Sequence, residues 1–132
     1  MEKVTAPAAK VIKKMFSAFA EANVDKILET VSENSVWIYH GTQIIPKGQF
    51  EGKEGAKTFF TNILNRTEIL SFEPRQYIVE GNVVVVLGSE HQRVKRSGKE
   101  LKQQWVQIYT VENNLITRME EFATSDIGPE NT

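Results

Sequence analysis

LKQQWVQIYTVENNLITRMEEFAT, residues 101–124, reads as two strand-like runs flanking Glu112-Asn113-Asn114. Asparagine tolerates the left-handed backbone that a tight turn requires, so the stretch folds back on itself as a hairpin. Side chains alternate between the faces of a strand, which sets Trp105, Gln107 and Tyr109 on one side and Val106 and Ile108 on the other. A three-residue loop with Asn114 left-handed pairs Val111 with Leu115 and brings Trp105 opposite Glu121. One face then holds Trp105, Gln107, Tyr109, Met119 and Glu121. A two-residue loop puts Glu120 there instead, and the sequence leaves both open. Aromatics, an amide and a carboxylate on one face suit a small-molecule pocket better than a plain core.

Upstream of the hairpin, the turn pairs Gly81-Asn82 and Ser97-Gly98 bracket a further strand, residues 83–94. Its four consecutive valines, Val83 to Val86, point to burial on both faces. Residues 69–79 read as another strand, whose Pro74 cannot donate a ladder hydrogen bond and so belongs at an edge or a bulge. Before this the period changes. Ala8, Val11, Ile12, Met15, Phe16, Phe19 and Ala22 recur at helical spacing, an apolar stripe about 100° wide. Thr5 is available as its cap, and Pro7 suits its opening turn. Asn23 breaks this helix, and Val24, Ile27, Leu28 and Val31 mark a second, short one that Ser32-Glu33-Asn34 ends. Residues 35–40 (SVWIYH) are a strand by their branched and aromatic side chains. Residues 41–55 carry Pro46, Gly48, Gly52 and Gly55 and read as a loop. Ala56, Phe59, Phe60, Ile63 and Leu64 then form the apolar face of a third helix, about residues 53–65.

Helices first and long antiparallel strands after is an α+β order. Three short helices cover one side of such a sheet. The other side would carry Val106, Ile108, Ile116 and Phe122 in the first of the two registers, an apolar patch that predicts a homodimer.

Bulk properties exclude several classes. The 132 residues fit one domain, and 40% hydrophobic with 25% charged residues is ordinary for a globular protein. Sixteen basic and 17 acidic residues leave a net charge of −1, with no electrostatic footprint for nucleic acid. The local cluster Arg93, Lys95, Arg96 and Lys99 reads as a solvated hairpin tip. With no cysteine, disulfides and thiolate chemistry are excluded. With two histidines only, no transition-metal site is expected, nor any other cofactor. MEKVTAPAAKVIKK is charged throughout and has no long apolar run. It reads as neither signal peptide nor membrane span, so a cytoplasmic location is expected. Without a secretory signal, the sequon Asn65-Arg66-Thr67 is a chance match, and Gly52-Lys53-Glu54-Gly55 lacks the spacing of a phosphate loop.

The element order, together with Pro46, Gly48, Phe50, Gly52, Glu54 and Gly55 before the third helix, resembles the nuclear transport factor 2-like superfamily. The likeness is to its SnoaL-like and ketosteroid-isomerase-related group. Ala22-Asn23-Val24-Asp25 at the helix break, Trp37, Val83 to Gly88, Trp105 and Glu121-Phe122 extend it over about residues 8–126. The resemblance implies one domain over residues 1–132 with a polar tail from 126. It also implies a cone-shaped curved antiparallel sheet, closed by three N-terminal helices around an internal pocket, and a dimer. Ketosteroid isomerases use an aspartate base with a tyrosine and a second acid. Here Met15 stands at the tyrosine position, Tyr39 at the base position, and no acid near Trp105 to Gln107. That mechanism is therefore not expected. SnoaL-like cyclases use a last-strand aspartate, a position matched by Glu121, or by Glu120 if the register slips by one.

A glutamate among Trp105, Tyr109 and Met119 loses solvation, which raises its pKa toward general-base range. The expected catalytic residues are Glu121 and Tyr39, with Tyr39 and Gln107 stabilising an oxyanion. The expected ligand-binding residues are Phe16, Trp37, Phe59, His91, Trp105, Gln107, Tyr109 and Met119. His91 reaches the Trp105 face if the Arg96-Ser97-Gly98 turn is three residues long, and His40 belongs to structure or to the rim. The function expected is cofactor-free general acid/base chemistry (isomerase, cyclase or hydro-lyase) on a small apolar carbonyl-bearing molecule. The alternatives are a protein that binds an apolar ligand unchanged, and a dimeric interaction module.

Overall fold

In a computed structural model, residues 6–41 and 47–124 are described. The expected cap Thr5, Pro46 and the polar tail from Asp126 lie outside the described residues. The helices are α1 (Pro7–Ala20), α2 (Val24–Leu28) and α3 (Gly52–Arg66). The strands are β1 (Val31–Tyr39), β2 (Gly48–Glu51), β3 (Thr67–Glu80), β4 (Val83–Val94), β5 (Glu100–Glu112) and β6 (Leu115–Ala123).

The stripe on α1 is buried at Ala8, Ile12, Met15, Phe16 and Phe19. Ala22 leaves it, exposed and in a left-handed conformation (φ 55°) just beyond the helix end. Asn23 then opens α2, its Oδ1 accepting from the Lys26 N–H at 3.1 Å. This satisfies one of the donors a helix start leaves free.

Six strands form one curved sheet in the order β2-β1-β6-β5-β4-β3. Its β1–β6 pairing is parallel, unlike the antiparallel remainder. β1 starts earlier than residue 35. Val31 pairs with Ile116, and an irregularity before Val36 leaves Glu33 and Asn34 exposed. Part of the segment read as a loop is the strand β2, which pairs with β1 before Gly52 (φ 73°) turns the chain into α3. β3 is an edge strand, and a bulge follows Pro74, so both readings of that proline hold. On β4, Val84 and Val86 are buried while Val83 and Val85 are only half-buried, so one face is covered fully and the other in part.

The β5–β6 hairpin is where the fold departs most from counting residues. Asn113 and Asn114 are both left-handed (φ 53° and 63°), and Glu112 pairs with Leu115, so the loop has two residues. By alternation alone that would turn Glu120 inward. However, Val111 pairs with Ile116 and Thr110 with Arg118, so Thr117 is an extra residue bulged out of the ladder. Beyond the bulge Met119 stands beside Tyr109 and Glu121 beside Gln107, both buried, while Glu120 faces out. Trp105 lies opposite Ala123 and not opposite Glu121. Ile116, expected on the outer face, precedes the bulge and is fully buried against Val31. The outer apolar patch therefore keeps Val106, Ile108 and Phe122 but loses Ile116.

Candidate functional site

Between α1, α3 and the inner face of the sheet lies a cavity with a mostly apolar lining. Met15, Phe16 and Phe19 come from α1, and Phe59, Phe60 and Ile63 from α3. Trp37, Tyr39, Phe72 and Met119 come from the strands. The aromatic rings lock edge to face: Phe16 on Phe72 at 5.1 Å, Phe59 on Phe60 at 5.1 Å, and Phe60 on Trp37 at 5.3 Å. Counting only positions a water centre can occupy, the free space is about 40 Å³. That is room for roughly three waters, so anything larger must displace lining side chains, of which the unbranched Met15 and Met119 yield most easily.

Seven side chains with polar groups interrupt this lining: Tyr39, Glu90, Gln92, Gln103, Gln107, Tyr109 and Glu121. Glu121 is 7% exposed. Burial pushes its pKa from the ordinary 4.5 to about 7, opposed by a hydrogen bond from Gln107. The Tyr109 hydroxyl donates to Gln107 Oε1 at 2.7 Å, which leaves the Gln107 amide N–H₂ to face Glu121. Both ends of the Gln107 side chain are thereby engaged. Gln107 orients the Glu121 carboxylate, a different task from the oxyanion contact expected for it. Tyr39, also buried, is the neighbour of Glu121 across the parallel β1–β6 pairing.

Glu90 went unnoticed in the sequence. It stands on the inner face of β4, in step with the buried Val84, Val86 and Gly88. Burial, then the Glu121 charge, pushes its pKa to about 8. Desolvation of Glu90, and after it the charge on Glu121, disfavours ionising both carboxyls together. Between about pH 7 and 8 the favoured state is one ionised and one neutral acid. The run Val83 to Val86 fits either face of a strand, so the inward turn of Glu90 follows only from the observed burial of Val84, Val86 and Gln92.

Two expected pocket residues sit elsewhere. His91 is on the outer face beside Lys102, and its Nε2 lies 2.8 Å from Glu100 Oε1. The turn after Val94 closes with Arg93 paired to Glu100, and that count turns Glu90 and Gln92 inward and His91 outward. Trp105 is buried but stands behind the cavity wall, stacked on Phe72 at 5.0 Å. It fits there because β4 has Gly88 at that point. A Cβ on Gly88 would fall 2.5 Å from Trp105 Cζ2. On the outer face, His40 stacks on Phe122 at 4.3 Å and its Nε2 lies 2.8 Å from Glu120 Oε2. The basic hairpin tip is partly neutralised, with Arg93 paired to Glu68 and Glu100. Among the described residues, no group of three or more His, Asp or Glu side chains could hold a metal ion, and no helix is long and apolar enough to cross a membrane.

The profile of the SnoaL-like domain matches residues 12–119. Solved structures share the fold. An NTF2-like protein from Burkholderia xenovorans LB400 is 24% identical, with a TM-score of 0.77 over 89% of this chain and 88% of that one. TerC, crystallised with polyporic acid, is 22% identical, with a TM-score of 0.73 over 89% and 91%. A protein with a ketosteroid isomerase-like fold from Catenulispora acidiphila DSM 44928, in complex with trimethylamine, is 11% identical, with a TM-score of 0.74 over 85% and 83%. No curated protein matches the chain significantly.

Proposed function

The chain belongs to the SnoaL-like domain family, and from that premise we propose a cofactor-free acid/base enzyme acting on a small, largely apolar carbonyl compound. The observation that carries this reading is the pair of inward-facing carboxyls, Glu121 and Glu90, on the wall of a mostly apolar cavity. Burial places their titrations at about 7 and 8, where one serves as base while the other keeps a proton.

Glu121, aimed by the Gln107 amide that Tyr109 fixes, takes a proton from the carbon next to the carbonyl. The C–H electron pair moves into the enolate, whose oxygen receives hydrogen bonds or a proton from neutral Glu90 and the Tyr39 hydroxyl. Return of the proton from Glu121 to another carbon completes an isomerisation; where the enolate carbon instead attacks a second carbonyl, the C=O π pair moves onto its oxygen, which takes the proton back from Glu121 to complete a cyclisation. The apolar lining favours such a substrate and keeps competing water scarce.

The test is a panel of cyclic and aromatic ketones assayed for proton exchange or rearrangement, with wild type and Glu121→Gln in parallel. Loss of the base should cut turnover by about 10²-fold or more while the protein stays folded. A variant that turns over at the wild-type rate would refute the assignment. If wild type binds a ketone and returns it unchanged, the cavity is a carrier site instead.

A further inference from the structure

The cavity wall away from Glu121 is a hydrogen-bond chain with a fixed direction. The Thr67 hydroxyl donates to the Ile63 carbonyl at 2.8 Å. A carbonyl only accepts, so the Thr67 oxygen has only lone pairs left to offer Gln92. Gln92 accordingly turns Nε2 toward Thr67, at 3.2 Å. Its Oε1 then faces Gln103 and accepts from Gln103 Nε2. The polarity set by a carbonyl near the end of α3 passes through two amides and ends at Gln103 Oε1. That oxygen is buried and has no hydrogen-bond partner among the described residues. Gln103 itself is 6% exposed and lines the cavity.

A buried amide oxygen without a donor is unfavourable, and a bound group that brings it an O–H or N–H recovers the loss. We infer that Gln103 Oε1 is a ligand subsite that selects molecules carrying a hydrogen-bond donor. The inference rests on the same cavity as the acid/base reading and narrows its substrate class to hydroxy- or amino-bearing carbonyl compounds. Gln103 and Gln107 share one face of β5 and line one cavity with Glu90 and Glu121. Glu90 stands directly across β4–β5 from Gln103, so a donor held there lies beside the acid of the proposed reaction.

Phenol, anisole and acetophenone are probes that differ in the donor and little in size. Titrated into ¹⁵N-labelled full chain, with the side-chain amides of Gln92 and Gln103 followed by NMR, phenol should bind about tenfold tighter than anisole. Thr67→Val removes the group that orients both amides, and Gln103→Met removes the acceptor. Either should bring the phenol-to-anisole ratio to within about twofold. Should Thr67→Val fail to fold, Gln103→Met decides alone. Equal binding of phenol and anisole by wild type overturns the subsite and leaves the Glu121–Glu90 reading standing. A phenol preference that survives Gln103→Met also overturns it. Failure of all three probes to bind overturns the subsite, while the acid/base reading is still judged by the turnover of Glu121→Gln.

Discussion

Glutamine at position 121 has nearly the shape of glutamate but no ionisation, and the structure predicts a stability difference between the two that changes with pH. In the unfolded chain this carboxyl ionises near 4.5, and in the folded protein burial delays it to about 7. Below pH 4.5 both states hold the proton and the group contributes nothing. Between 4.5 and 7 the unfolded chain releases its proton while the native state keeps it, so native stability falls as pH rises. Above 7 both are ionised and the penalty is constant, at about 3 kcal/mol. Glu121→Gln escapes this penalty but adds an amide N–H₂ that needs a partner, a pH-independent cost of about 1 kcal/mol. The variant should be slightly less stable than wild type at pH 4 and more stable by about 2 kcal/mol at pH 8. Glu90, relieved of the neighbouring charge, moves the balance in the same direction. Urea unfolding of both proteins at pH 4, 6 and 8, followed by tryptophan fluorescence with a common m-value, measures the double difference. A stability difference flat across that range, or one that turns against the variant as pH rises, would mean that Glu121 is solvated and the base assignment has lost its physical ground.

The same pair sets a pH–rate profile: kcat/KM should rise through about 7 as Glu121 ionises and fall through about 8 as Glu90 does. Glu90→Gln should lower the rate and erase the upper limb only; an unchanged upper limb would remove Glu90 from the mechanism. Gly88→Ala would set a Cβ 2.5 Å from Trp105 Cζ2 and 2.6 Å from the Glu73 carbonyl oxygen. It should cost about 1–3 kcal/mol in denaturant unfolding, and a neutral result would show that the Trp105 ring does not lie over this glycine. The outer face, proposed to pair two copies of the chain, offers Val106, Ile108 and Phe122, the last 45% exposed. Phe122→Lys is expected to convert a dimer into a monomer in light scattering, and a wild-type protein that already runs as a monomer refutes the proposal.

Local pattern made part of this molecule readable before any coordinates. Helical spacing located α1 and its buried face, because burial of Ile12, Met15, Phe16 and Phe19 needs no knowledge of partners beyond their being apolar. Asn113-Asn114 announced the hairpin, because two left-handed residues in succession demand such side chains. The short strand β2 was invisible for the opposite reason. In Gly-Gln-Phe-Glu only Phe50 favours a strand, and Gly48 and Glu51 oppose it until β1 lies alongside to pair with the segment.

The site residues expose a subtler limit. Counting from the turn leaves Glu121 and Glu120 open, since a three-residue loop turns the first inward and a two-residue loop the second. The loop has two residues, and the bulge at Thr117 restores the alternation. A turn and a bulge can compensate each other, so parity carried outward from a turn is only as good as the assumption that the ladder beyond it is regular. The three-residue loop misplaces Ile116, which the two-residue loop sets on the inner side ahead of the bulge, and a three-residue turn after Val94 brings His91 inward at the expense of Glu90. Parity carried from residues whose burial is certain does not have this weakness, since shifting a strand by one residue would expose its whole apolar set. From Val84 and Val86 the count runs through Gly88 to Glu90 and Gln92 without crossing a turn, and these are the residues the cavity lining contains. Four consecutive valines fit either face, so the acid that completes the proposed pair becomes legible only once burial separates Val84 and Val86 from Val83 and Val85.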